Sequence, residues 1–136
     1  MSNIQNFLIE LSKLEVPISE YVIVSSGPMA IVGLRECSDL DVLVSKKLFD
    51  ELSQTHEVMH IPEFNFSRVS IGNIDFLYKN PEEGDKYPFE KQRDEADIIE
   101  GYPFQNLQTC LYFKENSTRE KDKNDIVLIK EYLAKK

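Results

Sequence analysis

Residues 21–45 read YVIVSSGPMAIVGLRECSDLDVLVS, and this stretch decides the fold. The apolar run YVIV predicts a strand buried on both faces. Ser25, Ser26 and Gly27 follow as a tight turn, and Pro28 stands where a first helical residue belongs, since its missing N–H costs nothing there. A short helix over residues 28–35 then leads to a second strand over residues 39–44, which opens with Asp39 and Asp41. Side chains alternate faces along a strand, so these two carboxylates point the same way, ~7 Å apart. They repel each other unless a cation sits between them. A divalent metal with oxygen ligands is the usual solution, and such a metal beside a glycine turn suits a nucleotide triphosphate.

Before this stretch, Ile4, Phe7, Leu8, Leu11 and Leu14 recur at helical spacing, with Ser2 placed to cap a helix over residues 2–15. Val16 and Pro17 end it. After it, Ser45 caps a third helix to about Thr55, with Leu48, Phe49 and Leu52 facing the core. Strands are expected over residues 56–61, 64–71 and 74–79, the last two joined by a Gly72-Asn73 hairpin turn. Residues 80–100 (NPEEGDKYPFEKQRDEADIIE) hold eight acids and three bases with weak periodicity. They predict an exposed loop, serving as a mobile lid or a partner surface. Asn106 caps a helix over residues 107–115. A last amphipathic helix over residues 121–134 buries Ile126, Ile129 and Leu133. Strands and helices alternate in the first half, so the class is α/β or α+β, a mixed sheet flanked by helices in one domain spanning residues 1–136.

Bulk composition narrows the function. Of the 136 residues, 41% are hydrophobic and 29% charged, which supports an ordinary packed core. No apolar run reaches the ~18 residues of a membrane span, and the N-terminus lacks the basic region of a signal peptide. Cys37 and Cys110 have no metal-type spacing and suggest reduced thiols in the cytoplasm. His56 and His60 flank a strand pattern that holds them too far apart for easy chelation, so they are expected to be structural or surface groups. The net charge of −8 disfavours a general nucleic-acid binder, duplex DNA included. It is uneven, with 9 bases against 19 acids in residues 1–113 and 7 against 5 in residues 114–136. That balance fits a small phosphate-bearing ligand.

A third carboxylate, Asp75, lies inside the apolar run IDFLYK, where an unpaired charge would be costly. If its strand lies beside that of Asp39 and Asp41, three carboxylates converge on one metal pair. In the tail, Lys114, Arg119 and Lys121 precede Asp122 and Asp125. Either these bases reach a triphosphate across the metal site, or they are solvated while the two aspartates cap the last helix and complement its dipole.

Together, VIVSSGPMAIVGLRECSDLDVLV, IDFLYK and GYPFQNLQTCLYFKENSTREKDKNDIVLIKEYL resemble the nucleotidyltransferase superfamily (the polymerase-β-like fold) in its small single-domain bacterial and archaeal form. The tail also looks like that of some proteins related to abortive-infection toxins. The resemblance covers most of the chain, and least of all residues 80–100. It implies two Mg²⁺ ions and transfer of a nucleoside monophosphate from an NTP, ATP among them, to an acceptor. On this likeness Asp39 and Asp41 match the paired metal ligands, and Asp75 matches the third carboxylate. Ser26 and Gly27 match the phosphate turn, and Lys114, Arg119 and Lys121 match basic positions near the tail. Ser25 stands where the family turn usually begins with Gly.

Two functions follow as expectations, beside the alternative of a plain α/β domain whose aspartates are structural. The first is a Mg²⁺-dependent nucleotidyltransferase acting on a small molecule, a protein side chain or an RNA end. The second is a nucleotide-binding or toxin–antitoxin-type interaction module on the same fold. A domain this small leaves acceptor recognition to loops, a second copy of the chain or another protein.

Overall fold

The apolar runs around the Ser25 turn pair with each other and seed a sheet. In the computed structural model, which describes residues 3–136, β1 (Tyr21–Val24) pairs antiparallel with β2 (Leu40–Val44). Five further strands complete it: β3 (Met59–Ile61), β4 (Phe66–Ile71), β5 (Ile74–Lys79), β6 (Asp97–Ile99) and β7 (Tyr102–Phe104). The seven-stranded sheet has the order β3-β4-β5-β2-β1-β7-β6, with β2–β5 and β1–β7 parallel and the other pairs antiparallel. Six helices accompany the sheet: α1 (Asn3–Lys13), α2 (Gly27–Ile31), α3 (Lys46–Ser53), α4 (Phe89–Asp94), α5 (Leu107–Glu115) and α6 (Lys121–Ala134). This is the mixed, helix-flanked architecture expected. The cap expected at Ser2 lies outside the described residues. None of the described helices is long and apolar enough to cross a membrane.

Alternation divides the sheet into two faces with different jobs. On one face, Tyr21, Ile23, Leu40, Val42, Val44, Val69, Ile74 and Phe76 form the main core with Ile4, Leu8 and Leu11 of α1 and Leu48 and Phe49 of α3. Burying a side chain of this size contributes roughly 1.5–3 kcal/mol, so this face dominates stability. The residues between them, Asp41 in β2 and Asp75 in β5, point to the other face. A second cluster of Met29, Cys110 and Ile129 ties α2, α5 and α6 together.

Element ends follow local chemistry. The two-residue hairpin forms as expected: Ile71 pairs with Ile74, and Gly72 takes φ +60°, the positive-φ first position that favours glycine. The Glu10 carboxylate of α1 accepts from the Asn73 backbone N–H at 2.7 Å and from its side-chain amide at 3.0 Å, fixing that hairpin. Ser45 caps α3 by accepting from Leu48 N–H at 3.1 Å, and Asn106 caps α5 by accepting from Thr109 N–H at 2.8 Å.

Helix α2 stops short of the expected residue 35. Gly33 at φ +83° closes it, its N–H bonding Ala30 O and the Leu34 N–H bonding Met29 O, as in a Schellman cap. Likewise β4 starts at Phe66 because Pro62–Phe64 forms a 3₁₀ turn that ends on left-handed Asn65 (φ +57°). His60 lies in β3, where its Nδ1 meets Ser67 Oγ at 3.0 Å, a structural contact. In α6, Ile129 is fully buried, whereas Ile126 and Leu133 are only half-buried.

The largest correction concerns residues 80–100. In place of a long loop, the six residues of α4 and the three of β6 structure much of the stretch, and β6 extends the sheet by pairing with β7. Gln92 is buried; its side-chain amide donates to Tyr87 O at 2.8 Å and its carbonyl accepts from Gln105 at 2.8 Å. Tyr87 packs on Tyr112 and Phe113 of α5, with ring centroids 4.8 and 5.5 Å away. These contacts anchor a segment whose charge hides a six-residue helix from any periodicity argument.

Candidate metal and nucleotide site

Parallel pairing of β2 with β5 sets Asp41 directly beside Asp75. Asp39 lies one residue ahead of β2, which begins at Leu40 and not at residue 39, yet it stays with the pair. Carboxylate oxygens of Asp39, Asp41 and Asp75 all lie within 4.8 Å of one another. Asp39 is exposed and the other two are half-buried. Ser70 of β4, opposite Asp75 in the ladder, donates its hydroxyl to Asp75 Oδ1 at 2.6 Å.

The electrostatics of this cluster are costly by themselves. Burial, then the charges of Asp39 and Asp75, push the Asp41 carboxyl up to about 6, against a hydrogen bond from Ser25 and the charge of Arg119. Partial burial and the neighbouring Asp75 also push Asp39 up, opposed by Lys121 and Arg68. Three carboxylates packed this closely are what a hard divalent cation relieves, and their all-oxygen donor set fits Mg²⁺.

Ser25, Ser26 and Gly27 connect β1 to α2 on the β1 side of this cluster. Ser25 takes φ +64°, the left-handed region where glycine is at ease and serine is strained. Its carbonyl accepts from Cys110 Sγ at 3.5 Å, which ties the turn to α5. Gly27 is required for a different reason: a Cβ there would come within 2.5 Å of Ile23 Cγ2 in the core. Ser26 occupies the N-cap position of α2 without using its hydroxyl for capping.

The basic tail residues part company. Lys114 does not reach the carboxylate cluster. It is buried, and its ammonium donates to Asp125 Oδ2 at 2.9 Å and to Asp122 Oδ1 at 3.4 Å. Arg35, from the segment after α2, holds Asp125 at 2.9 Å, and Arg119 holds Asp122 at 3.1 Å. Asp122 and Asp125 are therefore neither helix caps nor dipole partners in solvent; they are buried members of an ion-pair network joining α2, α5 and α6. Burial alone would raise Asp122, but hydrogen bonds from Ser117 and Arg119 and the charge of Lys114 hold it below the usual carboxylate range. Arg119 and Lys121 do lie close enough for their charges to act on Asp41 and Asp39.

Sequence reasoning missed Arg35, Arg68 and Ser70. The last two had a signal: a two-residue turn at Gly72-Asn73 sets residue 70 opposite 75 and residue 68 on the same face. Arg35 had none, because its partner lies 90 residues away. No protein-family model matches the chain, and no curated protein is significantly similar to it.

Proposed function

We propose that this protein is a Mg²⁺-dependent nucleotidyltransferase that moves a nucleoside monophosphate from an NTP to an acceptor hydroxyl. One observation carries the proposal: Asp41 and Asp75 on adjacent parallel strands and Asp39 just ahead of the first converge within 4.8 Å beside the turn of Ser25, Ser26 and Gly27. Bound Mg²⁺ supplies charge neutralisation of the phosphates and of the oxygens entering and leaving phosphorus. Asp39, Asp41 and Asp75 would hold the metal. Asp75 takes the proton of the attacking hydroxyl, a role that Ser70 orients by fixing one carboxylate oxygen. The Ser25–Gly27 turn offers backbone N–H groups to the β- and γ-phosphates. Arg119, half-exposed beyond its contact with Asp122, and exposed Lys121 supply positive charge at the mouth.

A second reading, a nucleotide-binding or toxin–antitoxin-type interaction module, draws on two observations. Ser25 occupies a left-handed position that glycine fills at lower cost, and Lys114 is withdrawn into buried ion pairs. Calorimetric titration with ATP, GTP, CTP and UTP separates the readings. For the enzyme, binding requires Mg²⁺, is lost in Asp39→Asn, and is accompanied by transfer of label from the α-phosphate. Binding without transfer to any acceptor supports the module. Metal-independent binding, or binding unchanged in Asp39→Asn, refutes the site.

A further inference from the structure

Arg68 differs from the other arginines in what its guanidinium meets. Arg35 holds Asp125, Arg119 holds Asp122, and Arg93 donates to the Ile18 carbonyl at 3.1 Å. Arg68 is half-buried, and among the described residues its hydrogen-bond contact is the thioether sulfur of Met59 at 2.8 Å. A guanidinium carries five donors in a planar fork, and leaving them without oxygen acceptors is costly when water is partly excluded. Such a fork matches a phosphate or carboxylate bidentately.

Its position gives the matching anion a role. Arg68 and Ser70 lie two apart in β4 and so share a face, and Ser70 bonds Asp75. In the order β4-β5-β2-β1, the carboxylate cluster therefore lies between Arg68 and the Ser25–Gly27 turn that follows β1. In-line displacement needs the attacking and leaving oxygens on opposite sides of phosphorus. With the leaving phosphates at the turn, the attacking hydroxyl enters from the β5–β4 side, past Asp75.

That side mixes apolar and charged side chains, with Lys79 standing opposite Phe66. Helices α1 and α3 pack on the opposite face of β4 and β5. In the β3-β4-β5 ladder, Met59 stands opposite Arg68, Ile61 opposite Phe66, and Leu77 opposite Arg68. Met59 is 54% exposed. A flat ring can lie on this surface beside an anion held by Arg68.

We propose that the acceptor sits on this β3–β5 face and is a ribonucleoside carrying phosphate, either a free nucleotide or the end of an RNA strand, with Arg68 holding that phosphate. This deepens the nucleotidyltransferase reading and rests on it. A ribose hydroxyl oxygen forms the new bond to the α-phosphorus of the NTP, and its proton passes to Asp75. The bond from that phosphorus to the bridging oxygen breaks, and pyrophosphate leaves with the electron pair.

The test is calorimetry on protein saturated with Mg²⁺ and α,β-methylene-ATP, which cannot transfer. The dinucleotide ApA, AMP, adenosine and spermidine are then titrated in turn. Arg68→Gln is expected to weaken ApA or AMP by about tenfold or more and adenosine by less than about twofold. Arg68→Lys, which keeps the charge without the fork, should fall between. Tighter binding of ApA than of AMP identifies a strand end, and the reverse a free nucleotide. Phosphate-bearing probes unaffected by Arg68→Gln, or binding of spermidine alone, would overturn the assignment. Failure of α,β-methylene-ATP itself to bind would instead refute the nucleotidyltransferase reading, and this assignment with it. A thermal melt of each variant confirms that losses in binding are not losses of fold.

Discussion

Lys114→Met is expected to cost about 3–5 kcal/mol of stability, the largest loss foreseen for a single substitution here. The Lys114 side chain is 7% exposed, and it lies between Asp122 and Asp125, at 2% and 3%. Methionine keeps the length of the stem but leaves two buried carboxylates with only the outer arginines, Arg35 and Arg119. The deficit should depend on pH. Asp122 is held below its unfolded value, so its contribution is present above about pH 4 and is lost as pH falls through the folded pKa. The gap between wild type and variant in urea midpoints should therefore narrow on acidification below about pH 4. A variant that keeps its stability but loses nucleotide binding would return Lys114 to the phosphate-binding role that the sequence suggests.

Asp41→Asn is expected to act in the opposite sense. Burial and the neighbouring carboxylates push its carboxyl from the ordinary 3.8 up to about 6 in the folded protein, so the folded state binds the proton more tightly. Stability from this group is therefore fully present below about pH 4 and is lost as pH rises to about 6. Above that, ionised Asp41 costs on the order of 2–3 kcal/mol. Asparagine removes that penalty, so at pH 8 without metal the variant should melt roughly 5 °C or more above wild type, with the gain vanishing near pH 4. Mg²⁺ with NTP should stabilise wild type and leave the variant unmoved. A fall of several degrees at pH 8 would mark Asp41 as a structural partner of Ser25 and not as a strained ligand.

What was legible in the sequence tracks the physics that local pattern can carry. The strands around the Ser25 turn, the Gly72-Asn73 hairpin, the caps at Ser45 and Asn106 and the bounds of α6 all follow from residues within a few positions of one another. So does the acidic cluster, because a strand's two-residue period and one correct guess of neighbouring strands bring Asp39, Asp41 and Asp75 together. Residues 80–100 resisted because their order is tertiary: Gln92 bonding Gln105, Tyr87 on α5 and β6 on β7. Lys114 was misplaced for a related reason. A lysine followed by Arg119 and Lys121 looks like a basic patch, and only the packing of α6 on α5 turns it inward onto the aspartates of its own tail.

The most direct test of the carboxylate site uses Mn²⁺ as a paramagnetic stand-in for Mg²⁺, with binding followed by electron paramagnetic resonance. Wild type is expected to take up Mn²⁺ weakly alone and about tenfold or more tightly with α,β-methylene-ATP, and Asp41→Asn to lose that uptake. Equal Mn²⁺ uptake by wild type and Asp41→Asn, or none by either with nucleotide present, would contradict a metal–nucleotide site at Asp39, Asp41 and Asp75.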